Sequence, residues 1–319
     1  MKHIQLLTNS EVFKHTQVSH ACIISGEDSV GVSGLCRVQA CKIVCKADVP
    51  CMQCVECRLI LEDKHNDVIV VDKEKLVVDD VDEILENLLL TPYGDSKVYL
   101  ISNFDTATPQ AQNKLLKSIE EPPKNVYFVL GASNTFNILP TILSRCNVAK
   151  VMPFEKEQLK QSMLASFADD ENLELALSLS FGQISKVENF LNNPKFKLTF
   201  DNAISVLCTL KTSADILSNS KLLVDNKENL RLTIDYIALI LRDVLAIKNN
   251  SPDLVISGAY TKDIIQISKI YTTNAIISIL TFLNTIHERI KQYGNTNSIV
   301  DNLLFEMLEL KFKNRAEIG

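Results

Sequence analysis

The sequence predicts an α/β domain built on a parallel sheet with helices on both faces, followed by a purely helical remainder. Three observations carry that reading. Up to about residue 153, five short apolar runs alternate with apolar stripes at helical spacing. A glycine-bounded loop of the phosphate-binding type joins the first run to the first helix. Past Met152-Pro153 the strand-like runs stop and the helical stripes lengthen. With 319 residues and 46% hydrophobic content, the chain can bury an ample core and should form two or three domains.

The expected strands are 21–25, 67–71, 97–102, 126–131 and 148–152. Their continuous apolar character, interrupted by helices, is that of parallel strands buried on both faces. A first helix is expected over 33–46. A second spans about 79–90, with Val81, Ile84, Leu85 and Leu88 on one stripe and Asp79, Asp80, Asp82 and Glu83 at its dipole-positive start. A third follows Thr108 with Pro109 in its first turn, turns Leu115, Leu116 and Ile119 inward, and stops at Pro122-Pro123. Residues 154 to about 194 read as a small helical unit broken by Gly182. Longer stripes follow: Leu230, Ile234, Ile237, Leu241, Val244 and Leu245, then Ile276, Ile277, Leu280, Leu283, Ile286 and Ile290. A last helix over about 297–313 carries Ile299, Leu303, Leu304, Met307 and Leu310.

The loop after the first strand reads Gly26-Glu27-Asp28-Ser29-Val30-Gly31-Val32-Ser33. It keeps both glycines and the final hydroxyl of the G-x-x-x-x-G-K-[ST] frame but has Val32 in place of the lysine. In a working loop, backbone N–H groups curl around the phosphates and the lysine reaches the β/γ oxygens. Valine offers neither a hydrogen bond nor charge, a loss of about 1.5–3 kcal/mol for a charge-assisted contact. A chance match to two glycines and a serine is the alternative. Against it, the strand at 97–102 ends in Ser102-Asn103, with Asp105 further on, where a nucleotide hydrolase has a carboxylate pair for Mg²⁺ and the attacking water. Two parts of one catalytic apparatus are neutralised together, so ATP binding is not expected.

Net charge is −6, from 33 basic and 39 acidic residues, so no global field draws the chain to nucleic acid. The start, Met1-Lys2-His3-Ile4, has no long apolar core, and no run approaches membrane-spanning length. A cytoplasmic protein with no membrane partner is expected. Nine cysteines in such a chain argue for thiols or metal rather than disulfides. Cys51, Cys54 and Cys57 form C-x₂-C-x₂-C, and five residues separate Cys45 from Cys51. Four thiolates suit tetrahedral Zn²⁺, with every position filled by protein, as in structural sites. Cys45 is the favoured fourth ligand. Cys41, one helical turn earlier and expected on the same helix face, is the other candidate. Spacing alone also allows an iron–sulfur cluster or buried thiols.

Two further segments bring a family into view. Residues Asn113-Lys114-Leu115-Leu116-Lys117-Ser118-Ile119-Glu120-Glu121-Pro122-Pro123 resemble the N-x-L-L-K-x-[LI]-E-E-P-P signature of bacterial DNA polymerase III clamp loaders. Leu139-Pro140-Thr141-Ile142-Leu143-Ser144-Arg145-Cys146 is similar to their L-P-T-I-x-S-R-C segment, and His65-Asn66-Asp67 stands where they have H-P-D. The cysteine knuckle is a third match, although its first spacing is shorter than the family's. The resemblance is ordered over about residues 20–153, while the helical remainder agrees only in length and pattern.

That resemblance implies an AAA+ module over 1–153 with a zinc knuckle inserted at about 45–57, a small helical lid domain at 154–195, and an all-α collar domain at 196–319. It implies a member with no independent catalysis, because a hydrolysing one needs the lysine at 32 and the carboxylates at 102 and 103. Its partners would be the gamma/tau motor subunits and the delta subunit and, through the complex, the sliding clamp and primed DNA. Arg145 would reach into the ATP site of the adjacent motor subunit, with Ser144 shaping the turn. The vestigial loop residues are Gly26, Gly31 and Ser33, and the zinc ligands Cys45, Cys51, Cys54 and Cys57. On residue type alone, Arg145 is equally a surface arginine or half of a local salt bridge. Lys114 and Lys117 read as a solvated face or as aids to the neighbouring phosphate site, and Lys186 as a weak candidate for phosphate sensing. One rival is a catalytically active, gamma/tau-like loader ATPase. Another is a stand-alone zinc-dependent nucleic-acid-binding protein. The latter needs a basic face at the knuckle, and Glu56, Glu62, Asp63 and Asp67 against Lys46, Arg58 and Lys64 do not supply one.

Overall fold

The computed structural model describes residues 3–10, 13, 18–27, 31–47, 50–88, 90–223, 227–292 and 296–313. The chain divides into two compact units, one of Met1–Ala168 with Ser180–Lys186 and one of Asp169–Leu179 with Val187–Gly319.

The first unit is built on a five-stranded sheet in the order β2-β3-β4-β1-β5. Its strands are β1 (Ala21–Ser25), β2 (Val68–Val71), β3 (Lys97–Ile101), β4 (Val126–Ala132) and β5 (Asn147–Lys150). Every pairing is parallel, with Ile23 opposite Leu130 on one side and Val148 on the other. All five residues of β1 and of β3 are buried, whereas β5 is an edge strand with three of its four residues exposed. This is why the apolar runs of the inner strands were the easiest to read. The last strand is placed at Asn147–Lys150 rather than 148–152, and Met152 lies 61% exposed beyond it.

Helices connect the strands. Among those bearing on the sites, α1 is Ile4–Asn9, α2 Val32–Val44, α3 Val55–Leu61, α4 Val78–Leu88, α5 Pro109–Glu120 and α6 Pro140–Leu143. The start of α4 is fixed by Asp80, whose carboxylate accepts the Val77 N–H at 2.9 Å. Val81, Ile84 and Leu88 of α4 are buried, and Leu85 packs partly exposed against the same core. Thr108 caps α5 by accepting the Ala111 N–H at 3.2 Å, and Pro109 takes its first position. Leu115 and Ile119 join β3 and β4 side chains in the core, Tyr99 and Phe128 stacking with centroids 5.5 Å apart.

The second unit is helical throughout its described residues, and three long helices lie where the stripes place them, Lys227–Lys248, Thr273–Gln292 and Thr296–Lys313, while a fourth, Pro194–Thr209, had no stripe assigned to it. Leu230, Ile234, Ile237, Leu241 and Val244 are fully buried, as are Ile276, Leu303, Leu304 and Met307. Ile277 is a correction to the expected stripe. It is 51% exposed, because Ala275, Ile276 and Ile279 occupy the inward face and position 277 falls outside their arc. The Ile290 side chain lies outside the described residues. Asp243 is wholly enclosed and accepts the N–H groups of Ile256 and Ser257 and the Ser257 hydroxyl, fixing the turn after the long helix.

Candidate metal centre and phosphate-loop region

The helix after β1 ends earlier than its apolar pattern suggests. Cys45 is already extended (φ −67°, ψ 132°), its N–H bonded to Cys41 O at 2.8 Å, so it leaves the helix instead of continuing its face. That separates the two candidate ligands. Cys41 stays buried in α2 with its sulfur 3.8 Å from Cys57 O, and burial pushes its thiol up to about 12. Cys45 turns toward the knuckle, and the sulfurs of Cys45, Cys51, Cys54 and Cys57 all lie within 4.8 Å of one another. With Zn–S bonds of about 2.3 Å, a tetrahedron has sulfur–sulfur edges of roughly 3.8 Å, and Cys45 and Cys51 stand 3.8 Å apart. The four residues fit a metal ion such as zinc.

Backbone donors are aimed at these sulfurs. Cys51 Sγ accepts the Cys54 N–H at 3.3 Å, and Cys54, the N-cap of α3, accepts the Cys57 N–H at 3.4 Å. Amides of Gln53 and Cys54 hold the exposed Cys51 thiol down to about 6. Burial instead pushes the Cys57 thiol up, a penalty that a cation at the centre offsets. Beside the knuckle, His65 Nδ1 accepts the Asp67 N–H at 3.0 Å, leaving Nε2 to donate to Glu56 at 2.7 Å. The Asp67 carboxylate takes the N–H groups of Tyr93 and Gly94 at 2.8 and 2.7 Å. The His-x-Asp segment is therefore an anchor for two loops.

In the phosphate-loop region, Asp28, Ser29 and Val30 lie outside the described residues. Gly26 leaves β1 with its N–H on Ala132 O at 3.0 Å, and the Glu27 carboxylate accepts from the Gln183 amide. Gly31 caps α2 at φ 88°, in the left-handed region that favours glycine. A methyl there would come 3.2 Å from Ile184 Cδ1 and 3.3 Å from Leu7 Cδ2, so apolar side chains cover the loop's second glycine. Val32 is buried, and its Cγ1 would lie 3.5 Å from a methyl on Gly131 of β4. Ser33 is engaged as well, its hydroxyl and carbonyl both accepting from Arg37 Nη1. Arg37 in turn forks onto Asp63, with Nε–Oδ1 and Nη2–Oδ2 both 2.8 Å. After β3, Asn103 donates to Lys73 O at 3.4 Å, and buried Asp105 accepts the Ser133 N–H and hydroxyl at 3.2 and 2.8 Å.

The two motif segments are physically joined. Gln112, next to Asn113 in α5 and 1% exposed, donates to Ala107 O and Asn137 O at 3.0 and 2.8 Å and accepts the Leu139 N–H at 2.8 Å. It thereby fixes the entry to α6, whose end presents Arg145. The Arg145 guanidinium donates to Thr141 O at 3.0 Å, to Ser144 Oγ at 3.3 Å and to Glu120 Oε1 at 3.1 Å. It is thus half of a local ion pair with its side chain 35% exposed. The Ser144 hydroxyl bonds Thr141 O at 3.0 Å, closing the turn, and burial pushes the Cys146 thiol up to about 12. Lys114 pairs with Asp82, while Lys117 and Lys186 are exposed. Sequence reasoning missed Gln112, Arg37 and Asp63. The four-residue spacing of Ser33 and Arg37 on a helix was a signal for one contact. Nothing local announced Asp63.

Comparison with known proteins gives one family match and several relatives. Residues 2–155 match the family described as DNA polymerase III, delta subunit. DNA polymerase III subunit gamma of Buchnera aphidicola is 32% identical over 148 residues, 45% of this chain and 41% of that protein. DNA polymerase III subunit delta' of Haemophilus influenzae is 33% identical over 172 residues, 51% and 52% of the two chains. DNA polymerase III subunit tau of Bacillus subtilis is 25% identical over 335 residues, 94% of this chain and 59% of its own. The chain spans about half or less of the length of the first two relatives. No helix among the described residues is long and apolar enough to cross a membrane. Residues 2–155, just under half of the chain and the part that holds the knuckle and both motif segments, are similar to the DNA polymerase III clamp-loader family.

Proposed function

We propose that this chain is the non-hydrolysing delta-prime subunit of the clamp loader, a rigid partner that completes a neighbour's ATP site rather than working one of its own. Relatives named gamma, tau and delta' match about half of this chain at comparable identity, so the choice rests on the phosphate-loop region. The observation that carries it is the engagement of that loop by the protein itself. Val32 is packed into the sheet, Leu7 and Ile184 cover Gly31, and the Ser33 hydroxyl accepts from an arginine already neutralised by Asp63. A triphosphate would have to displace all three and would find no ammonium group at position 32. Gly26, Gly31 and Ser33 are then a vestige, and the chain has no independent catalysis.

In this reading, Arg145 enters the ATP site of an adjacent gamma/tau subunit. Its present pair with Glu120 is at the surface, so releasing it costs about 0–1 kcal/mol. A guanidinium supplied in trans to a transferring phosphoryl group contributes roughly 10³–10⁵ in rate. Gln112 and Ser144 position the turn. Cys45, Cys51, Cys54 and Cys57 hold a structural zinc that sets the course of the chain between α2 and α3. Residues 154–195 act as a small lid domain and 196–319 as the collar. The delta subunit, the sliding clamp and primed DNA are partners through the complex, in the cytoplasm.

The test is a loader reconstituted from its motor subunits, delta and this chain. Arg145→Ala should leave assembly intact and depress DNA-stimulated ATP hydrolysis and clamp loading, and the isolated chain should bind no ATP. Full hydrolysis with the Arg145→Ala subunit in place ends the trans role.

A further inference from the structure

The four sulfurs of the knuckle are chemically unequal, and the inequality singles out one pair. Cys51 is exposed, Cys45 and Cys54 are half-buried, and Cys57 is fully enclosed. A small oxidant therefore meets Cys51 first. The sulfur of Cys45 stands 3.8 Å away, with five residues between the two in the sequence. Closing to a disulfide bond of about 2.05 Å requires a movement of roughly 1.8 Å. Cys45 can supply it, because it is the first residue off α2, past the last helical turn. The alternative pair, Cys54 with Cys57, lies within the first turn of α3, where Cys57 is shielded from solvent and the Cys57 N–H already binds Cys54 Sγ.

We infer that Cys45 and Cys51 are an oxidation site, closing to a disulfide under peroxide and releasing the metal that the knuckle holds. The inference rests on the proposed zinc occupancy. Its oxidant is hydrogen peroxide or a related hydroperoxide. The Cys51 thiolate attacks one peroxide oxygen, forming S–O and breaking O–O, and the departing hydroxide takes a proton to become water. The Cys45 thiolate then attacks the Cys51 sulfur, forming S–S and breaking S–O, and the second hydroxide leaves as water. Two electrons pass from the two sulfurs to the peroxide. Two of the four ligand sulfurs can then no longer serve as thiolates, and two remaining thiolates are too few for a structural site.

Trypsin makes the pairing readable. It cuts after Lys42, Lys46 and Arg58, placing Cys45 in the peptide 43–46 and Cys51, Cys54 and Cys57 together in 47–58. The zinc-loaded full chain is treated with stoichiometric hydrogen peroxide, released zinc is read with a chromogenic chelator, and free thiols are alkylated before digestion. The expected result is a cross-linked 43–46/47–58 species with its bond on Cys51, growing in step with one equivalent of released zinc. Dithiothreitol with added zinc should reverse both. A first product with its disulfide inside 47–58 overturns the inference. So does a Cys51 sulfinic acid beside free Cys45, or zinc release with all four thiols still reduced. Metal analysis before oxidation separates the two readings. A chain that takes up no zinc sinks the zinc assignment, while the same mapping on the metal-free chain still decides which sulfurs pair.

Discussion

Replacing Val32 with lysine restores the charge that the phosphate-loop frame lacks, and it should destabilise the first unit without creating an ATPase. Val32 is 5% exposed, and burying such a side chain contributes about 1.5–3 kcal/mol. One of its methyls lies against Gly131, so a longer stem overpacks that contact by about 1–3 kcal/mol unless it turns outward. The outward path runs past Gly31, which Leu7 and Ile184 cover. Part of the stem's apolar surface stays buried on either route, so the net cost should be about 2–4 kcal/mol. No catalysis offsets it, since Ser33 remains bonded to Arg37 and Ser102-Asn103 supply no carboxylate. Urea unfolding followed by circular dichroism gives the stability change, and calorimetric ATP titration with phosphate release gives the activity. A Val32→Lys chain as stable as its parent that hydrolyses ATP would refute the reasoning.

Arg145→Lys should fail to restore loader ATPase lost in Arg145→Ala, because an ammonium cannot reproduce the two-pronged contact; neither variant should move the isolated chain's stability by more than about 1 kcal/mol. Gly182→Ala should destabilise the first unit by about 2–5 kcal/mol, read as a lower urea midpoint. The glycine sits at φ 83° and its added methyl would clash with Phe154 O. Asp243→Ala should cost the second unit about 2–4 kcal/mol, since it leaves the part-buried Ile256 amide and the buried Ser257 amide without an acceptor; hydrogen exchange at those two amides is the local readout. Cys57→Ser should abolish metal binding at the knuckle and lower the first unit's melting temperature, whereas Cys41→Ser should leave metal content unchanged.

The sheet was legible because parallel strands buried on both faces leave uninterrupted apolar runs, as in Ala21–Ser25 and Lys97–Ile101. The edge strand β5 was placed a residue or more off, its exposed residues giving no such run. Ile277 failed because a stripe written every three or four residues tolerates neighbours on its border, and packing alone decides which side of the border is wet. At the knuckle, spacing singled out the triplet and favoured Cys45 as the fourth ligand, with Cys41 kept as the alternative. That choice depends on the residue where α2 ends. At the phosphate loop, the missing lysine was visible in the sequence. The cover by Leu7 and Ile184 and the Arg37–Asp63 fork were not, because they join residues distant along the chain.

Ile184, Gln183 and Gly182 carry a consequence for biosynthesis. The first unit takes its final contacts from Ser180–Lys186, after the chain has already contributed Asp169–Leu179 to the second unit. During translation, the amino-terminal sheet can assemble while that segment is still inside the exit tunnel. Until it emerges, the Gly182 carbonyl cannot bond the Phe154 amide, Glu27 lacks its amide donor, and the second loop glycine lacks half its apolar cover. A nascent chain with β5 outside the exit tunnel but residues 180–186 still within it should therefore be sensitive to proteases at Glu27 and beside Gly31, and that sensitivity should vanish once 186 clears the tunnel.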